Sequence, residues 1–180
     1  MTAGEHAHQT APGPRALSVR NTHRDTPVLR PPEDDELRSL AELRWRWILE
    51  NGGTPEIDAE EFAHAFVRWV PAHGSTHRPL IMLRGPEVIG MAWLALVPRV
   101  PTPLAFDRRS GDVQCVYVVP WERGHGHGGR LVEAVLDLAR DLGLERVTVH
   151  SSDKAIPTYR RHGFEVSPRM LHTEISLGED

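Results

Sequence analysis

Residues 113–142 constrain the chain more than any other stretch. An apolar run, Val113-Gln114-Cys115-Val116-Tyr117-Val118-Val119, stops at Pro120. After Trp121 and Glu122 comes Arg123-Gly124-His125-Gly126-His127-Gly128-Gly129, and then a helical period begins. Leu131, Val132, Val135, Leu136, Leu138, Ala139 and Leu142 recur three and four apart, as one buried helix face requires. Charged Arg130, Glu133, Asp137, Arg140 and Asp141 take the other side, and Gly143 supplies a stop. A strand, a glycine-rich turn and a helix in that order form an anion-binding device. Glycines let the backbone approach a ligand, and the first free N–H groups of the helix meet it with the positive end of the dipole. A diphosphate is the expected guest.

Read as G-x-G-x-x-G, Gly124, Gly126 and Gly129 match the dinucleotide fingerprint. That reading needs several more strand–helix units, whereas only 51 residues follow Gly129, and Pro120 to Arg123 separate the strand from the first glycine. The absence of G-K-[ST] excludes a triphosphate P-loop. Read as R-x-x-G-x-G, Arg123 to Gly128 resembles the acyl-CoA pyrophosphate loop of the GNAT N-acetyltransferases. Val116-Tyr117-Val118-Val119-Pro120 resembles that family's fourth strand and its following proline. Ala155-x-x-x-Tyr159-x-x-x-Gly163-Phe164 resembles its last helix and turn. The resemblance covers roughly Val28 to the C-terminus.

The remaining segments predict an α+β fold. Residues 1–26 carry Pro12, Pro14 and scattered His6, His8 and His23 without periodicity, so a disordered arm is expected there, and a single domain over 27–180. Within the arm, Leu17 to Arg20 could add a fragment of strand. Val28-Leu29-Arg30 predicts an edge strand ended by Pro31-Pro32. A helix follows whose start is crowded by Glu33, Asp34, Asp35 and Glu36, where the dipole favours anions. A second helix is expected from a cap near Asp58 to Pro71. Strands are expected over 78–83, 88–97, 113–119 and 146–150, and a short helix over 153–161. Residues 164–166 and 170–175 are expected to close the sheet as a hairpin. A mixed, mostly antiparallel central sheet flanked by helices results, matching the fold that the GNAT resemblance implies.

Composition excludes several classes. A net charge of −4 gives no reason to expect nucleic acid or an acidic membrane as partner. No apolar run approaches the roughly 20 residues of a membrane span. The one cysteine, Cys115, lies in a predicted strand and is expected to be a buried small hydrophobe rather than a nucleophile. With no disulfide framework and no signal-peptide pattern, a cytoplasmic location is expected. His125 and His127, spaced two apart without cysteine or acid nearby in the pattern, make a poor zinc site, and no metal is expected.

The resemblance implies acetyl-CoA as co-substrate and direct transfer to a primary amine in a ternary complex. A small-molecule amine is favoured; a protein N-terminus or lysine is the alternative, as is an acyl-CoA-binding module without turnover. A homodimer is left open. Tyr159 stands where the family has its general acid, with packing on the sheet as the competing role. Asp112, six residues before Val118, is a candidate base, with a water chain as competitor and Gln114 on the same face. Val116, Tyr117 and Val118 would contact the pantetheine arm, with an interrupted ladder there to bind the thioester carbonyl. Gly124, His125, Gly126, His127, Gly128 and Gly129 would hold the pyrophosphate. Arg123 would pair with phosphate or brace the loop. Ser152 replaces a frequent asparagine beside the cofactor arm, and His127 a usually aliphatic residue. Glu50, Glu56, Glu60 and Glu61 are candidates to attract a cationic amine or else form a solvated face.

Overall fold

The computed structural model describes residues 26–175; the expected N-terminal arm lies outside them but for Thr26. Five strands form one sheet in the order β1-β2-β3-β4-β5. They are β1 (Val28–Arg30), β2 (His77–Arg84), β3 (Glu87–Pro98), β4 (Arg109–Val118) and β5 (Val147–Val149). The first four pair antiparallel, and β5 joins β4 in parallel. Four helices flank the sheet: α1 (Leu37–Glu50), α2 (Ala59–Ala72), α3 (His127–Asp141) and α4 (Ile156–Arg161).

Residues directly opposite in the ladder share a face. Met91, Trp93 and Ala95 of β3 therefore lie with Tyr117, Gln114 and Asp112 of β4. This face receives α1 and α2: Phe66 meets the edge of Trp93 at 5.8 Å between ring centroids, and Tyr117 reaches Glu50. The other face receives α3. A side chain added at Gly90 would stand 3.2 Å from Leu131 Cδ1, so the missing Cβ lets the helix settle on β3. Ile81, Met82, Ile89, Leu94, Leu131 and Val135 have no accessible surface and join the two layers into one core.

Local chemistry explains the element ends. Asp58 caps α2 by accepting from the amides of Glu60 and Glu61 at 2.9 and 2.8 Å. Glu36 closes a capping box with Glu33 and also takes the Arg30 guanidinium at 2.6 Å, which ties the first helical turn to β1. Arg30 holds the Glu36 carboxyl below its usual range through that hydrogen bond. Gly143, at φ +65°, follows α3 as the sequence anticipates.

Three boundaries differ from expectation. Strand β4 begins at Arg109 rather than Val113, because Arg109 to Asp112 pair with Pro98 to Ala95 instead of turning. Gly111 is buried under Leu94 and Leu144, where an added Cβ would stand 2.7 and 2.9 Å from their methyl carbons. Helix α3 begins at His127, so Gly128 and Gly129 lie in its first turn. The C-terminal hairpin is a correction: residues 164–175 form no strand. Val166, Met170, Leu171 and Ile175 are exposed, and a hairpin that buries no apolar face is marginal in water.

Leu131 carries the contact between α3 and the sheet. Leu131→Ala should lower the free energy of unfolding by about 3 kcal/mol, within the roughly 2–5 kcal/mol of buried large-to-small changes. Urea titration followed by circular dichroism measures it.

Candidate active site

An open cleft of about 990 Å³ runs from the N-terminus of α3 along the end of β4, between α4 and the C-terminal end of α1. Its floor exists because β4 breaks its own ladder. Met91 faces Tyr117 and Trp93 faces Gln114, so Cys115 and Val116 together oppose Ala92. This bulge holds Cys115 at φ +52°, a conformation that non-glycine residues adopt at a cost of order 1–3 kcal/mol. On the other edge, the parallel ladder to β5 covers only Gly111, Asp112 and Val113. The strands then part, and Val116, Tyr117 and Val118 line the cleft.

The loop supplies the cleft's polar end. Gly124 and Gly126 adopt φ of +82° and +79°, with nothing within 4 Å of an added Cβ, so backbone conformation rather than crowding demands glycine. Gly126 is the N-cap of α3 and brings no side-chain cap, which leaves the first helical N–H groups to whatever enters the cleft. Gly129 has a packing reason: a Cβ there would meet His162 Cε1 at 3.0 Å.

Arg123 is held as a brace. Its Nε donates to the Val118 carbonyl at 2.9 Å, its Nη2 meets Glu50 Oε2 at 2.6 Å, and its guanidinium lies 5.3 Å from the Tyr117 ring centroid. The Tyr117 hydroxyl donates to Glu50 Oε1 at 2.6 Å. The Arg123 and Tyr117 hydrogen bonds pull the Glu50 carboxyl below its usual range, while burial and Glu50 push Tyr117 up to about 12. Beneath the loop, Arg84 grips Glu122 at 3.0 and 2.8 Å and lies 3.3 Å from His127 Nε2.

The sequence-selected residues divide. Val116, Tyr117, Val118, Arg123, Gly124, Gly126, His127, Gly128, Gly129 and Ser152 line the cleft, as does Glu50; His125, Tyr159 and Asp112 do not. Exposed His125 turns Nδ1 to the Glu122 carbonyl at 3.3 Å. Tyr159 is buried and meets Phe164 edge-on at 5.3 Å. Burial, reinforced by nearby Cys115, raises its hydroxyl to about 12. Asp112 accepts from Thr148 Oγ1 at 2.9 Å and Gln114 Nε2 at 3.1 Å, on the face toward α2. The Cys115 thiol is pushed up by burial, against the pull of Arg44. Glu60 pairs with Arg38 and His64, and Glu56 and Glu61 are exposed away from the cleft. The sequence reading passed over Trp47, Arg130, Lys154, Thr158, Arg161 and His162, which also line it. Helical spacing from Ala155 could have placed Thr158 and His162 on one face of α4.

The sequence reading overlooked Glu122, three residues before His125, although one ligand atom each of Glu122, His125 and His127 lies within 4.8 Å of the others. Arg84 already contacts both Glu122 oxygens and approaches His127, so a metal cation there would meet a guanidinium. The group reads as an ion-pair network. His127 is buried, and desolvation lowers its pKa below 6.5; Glu122 opposes the shift, while Arg84 and Arg130 add to it. Burial and then His73 lower His77 likewise. A depressed imidazole pKa contributes stability that is present above the unfolded value and lost as pH falls through the folded one. The melting temperature should therefore drop from pH 7.5 to 5.5. His127→Leu should shrink the drop and leave the part due to His77; scanning calorimetry across that range tests it.

Residues 36–164 match the model of the acetyltransferase (GNAT) family. A glucosamine 6-phosphate N-acetyltransferase from Trypanosoma brucei brucei is 28% identical over 89 residues, 49% of this chain and 58% of that relative. The chain thus matches little more than half the length of that curated relative. A predicted acetyltransferase from Clostridium acetobutylicum, solved with acetyl-CoA, superposes with a TM-score of 0.69 at 19% identity, over 83% of this chain and 96% of that one. The glucosamine-6-phosphate N-acetyltransferase from Arabidopsis thaliana gives 0.64 at 17% identity, over 84% of this chain and all of that one. Both share the fold described above, a mixed, mostly antiparallel sheet flanked by helices. With more than two thirds of its residues matched in order, this chain belongs to the GNAT acetyltransferase family.

Proposed function

We propose that the protein is an N-acetyltransferase that uses acetyl-CoA and acts on the primary amine of a small molecule. The carrying observation is the joining, in one cleft, of an uncapped helix N-terminus to the open edge of β4 at Val116, Tyr117 and Val118. The first suits a pyrophosphate and the second an amide-bearing arm laid alongside a strand. The small-molecule preference is supported by the relative that acetylates glucosamine 6-phosphate. The proposed setting is the cytoplasm, in keeping with a single buried thiol.

In this reading the Gly124–Gly129 backbone binds the pyrophosphate, and Arg123 keeps the loop against β4 without leaving Glu50. Bound acetyl-CoA would supply a thioester whose carbonyl carbon the neutral amine attacks, the C–N bond forming as the C–S bond breaks. Although Tyr159 lies behind the lining, it adjoins Thr158 of that lining, and we assign it the proton passed to the departing sulfur; a hydroxyl pushed up to about 12 by burial keeps its proton across the physiological range. Asp112, oriented by Thr148 and Gln114, takes the proton released by the amine, directly or through water. Transfer is direct, with no acyl-enzyme.

Two substitutions test the assignment. Gly126→Asp places a carboxylate at the helix N-terminus, in open space but at a positive φ that costs about 1–2 kcal/mol, and should weaken CoA binding at least tenfold in calorimetry while melting curves show the fold intact. Unchanged affinity would move the ligand elsewhere. Tyr159→Phe should leave CoA affinity intact and lower kcat by ~10²-fold or more on an amine found by library screening. A variant within threefold of wild type would remove Tyr159 from the chemistry.

A further inference from the structure

The cleft's α4 side carries more positive charge than a pyrophosphate on the helix N-terminus accounts for. Lys154, the only lysine in the sequence, lines it together with Arg161 and His162, and Arg130 stands on the α3 side. Lys154 makes no ion pair or hydrogen bond among the described residues. Among the described residues Arg161 reaches only the Thr158 hydroxyl, at 3.1 Å, and Arg130 only the Pro27 carbonyl, at 2.8 Å. His162 turns Nδ1 to the Thr158 carbonyl at 2.8 Å. Its Nε2 then lies 3.4 Å from where a Gly129 Cβ would be, beside the first turn of α3. The acids do not balance this rim. Glu50 is taken by Arg123 and Glu122 by Arg84, which leaves Glu133 as the remaining carboxylate along the lining.

We propose that Lys154 and Arg161, on the α4 side of the cleft, form a subsite for a phosphate monoester, the 3′-phosphate of the CoA nucleotide. The proposal rests on the acetyl-CoA reading above and deepens it. A phosphomonoester carries about −1.5 to −2 charges near neutral pH and three strong acceptor oxygens. A flexible ammonium in the turn before α4 and a forked guanidinium at the end of that helix, both on the lining of one cleft, match it as a point charge and a planar clamp. The chemical consequence is donor selection. Free acyl-CoA has the 3′-phosphate, whereas a pantetheine thioester mounted on a carrier protein lacks it. The subsite therefore selects the free thioester, and does so through residues remote from the reacting carbonyl.

The test is calorimetric titration of CoA and of dephospho-CoA, without acceptor, into wild type, Lys154→Ala/Arg161→Ala and Lys154→Glu at low salt. Both side chains are exposed, so the variants should fold, and melting curves verify this. Wild type should prefer CoA roughly tenfold, the scale of a charge-assisted contact, and the preference should shrink as salt rises. The double variant should bind CoA as weakly as dephospho-CoA, whose own affinity stays near the wild-type value. Lys154→Glu should weaken CoA more than dephospho-CoA. Equal affinity of wild type for the two ligands, or equal losses for both in the variants, would overturn the subsite while leaving the acetyl-CoA reading intact. Failure of wild type to bind either ligand would overturn that reading itself. Because no acceptor is present, a phosphate on the amine substrate cannot produce the difference.

Discussion

The structure depends on a backbone edge that is not paired. An interior strand ordinarily gives hydrogen bonds to neighbours on both sides, because a buried amide without a partner costs about as much as a lost hydrogen bond. Strand β4 does so on the β3 side, apart from the bulge, but gives only Gly111 to Val113 to β5. Beyond that point its second edge turns to open cleft, where water or a ligand arm can satisfy it. The bulge at Cys115 and Val116 re-aims the strand at the same place. A continuous parallel ladder would have closed the cleft before the loop could serve it.

The loop and α1 are held to this opening by charge. Arg123 and Tyr117 converge on Glu50 at the end of α1, while Arg84 and Glu122 converge beneath the loop with His127. The first group is partly exposed, so its net contribution to stability is modest; its geometry matters more. The second is better shielded, with Arg84 and Glu122 side chains 19% and 12% accessible, and removing one partner would cost more than the pair contributes, because the other charge stays behind. Both arrangements commit loop side chains to bracing. That leaves the backbone N–H groups at the start of α3, together with Lys154 and Arg161, among the polar groups of the cleft not committed to bracing the loop.

Legibility in the sequence followed how local the cause was. Helices α1 and α2 were readable from the acids just before α1 and in the first turn of α2, the Asp58 cap and apolar spacing, all set within a few residues. The turn at Gly85, with φ +57°, and the run of β3 were readable too. The extension of β4 back to Arg109 was not, because Ser110 and Gly111 look like turn residues until Leu94 and Leu144 cover them. The C-terminal segment shows the reverse error. Val166, Met170, Leu171 and Ile175 have strand-like chemistry, yet β5 is three residues long and offers them no buried face.

The sequence by itself determined that a glycine-rich loop would join a strand to an amphipathic helix and leave that helix's N-terminus without a side-chain cap. Positive φ at Gly124 and Gly126 and the period of α3 are properties of the residues themselves. Only the tertiary structure decided the partners. The sequence left Arg123 between phosphate and brace, and Glu50, 73 residues away, made it a brace. The two loop histidines look equivalent in sequence, but packing buried His127 over Arg84 and left His125 outside the cleft. Nothing local to Cys115 calls for a left-handed backbone; the bulge in its pairing with β3 holds it there. Lys154 and Arg161 look like ordinary surface charges in sequence, and only the approach of α4 to the first turn of α3 brings them to the rim of one cleft. Backbone preference acts over a few residues and is written in them, whereas a charge acquires its role from whichever distant group the fold sets beside it.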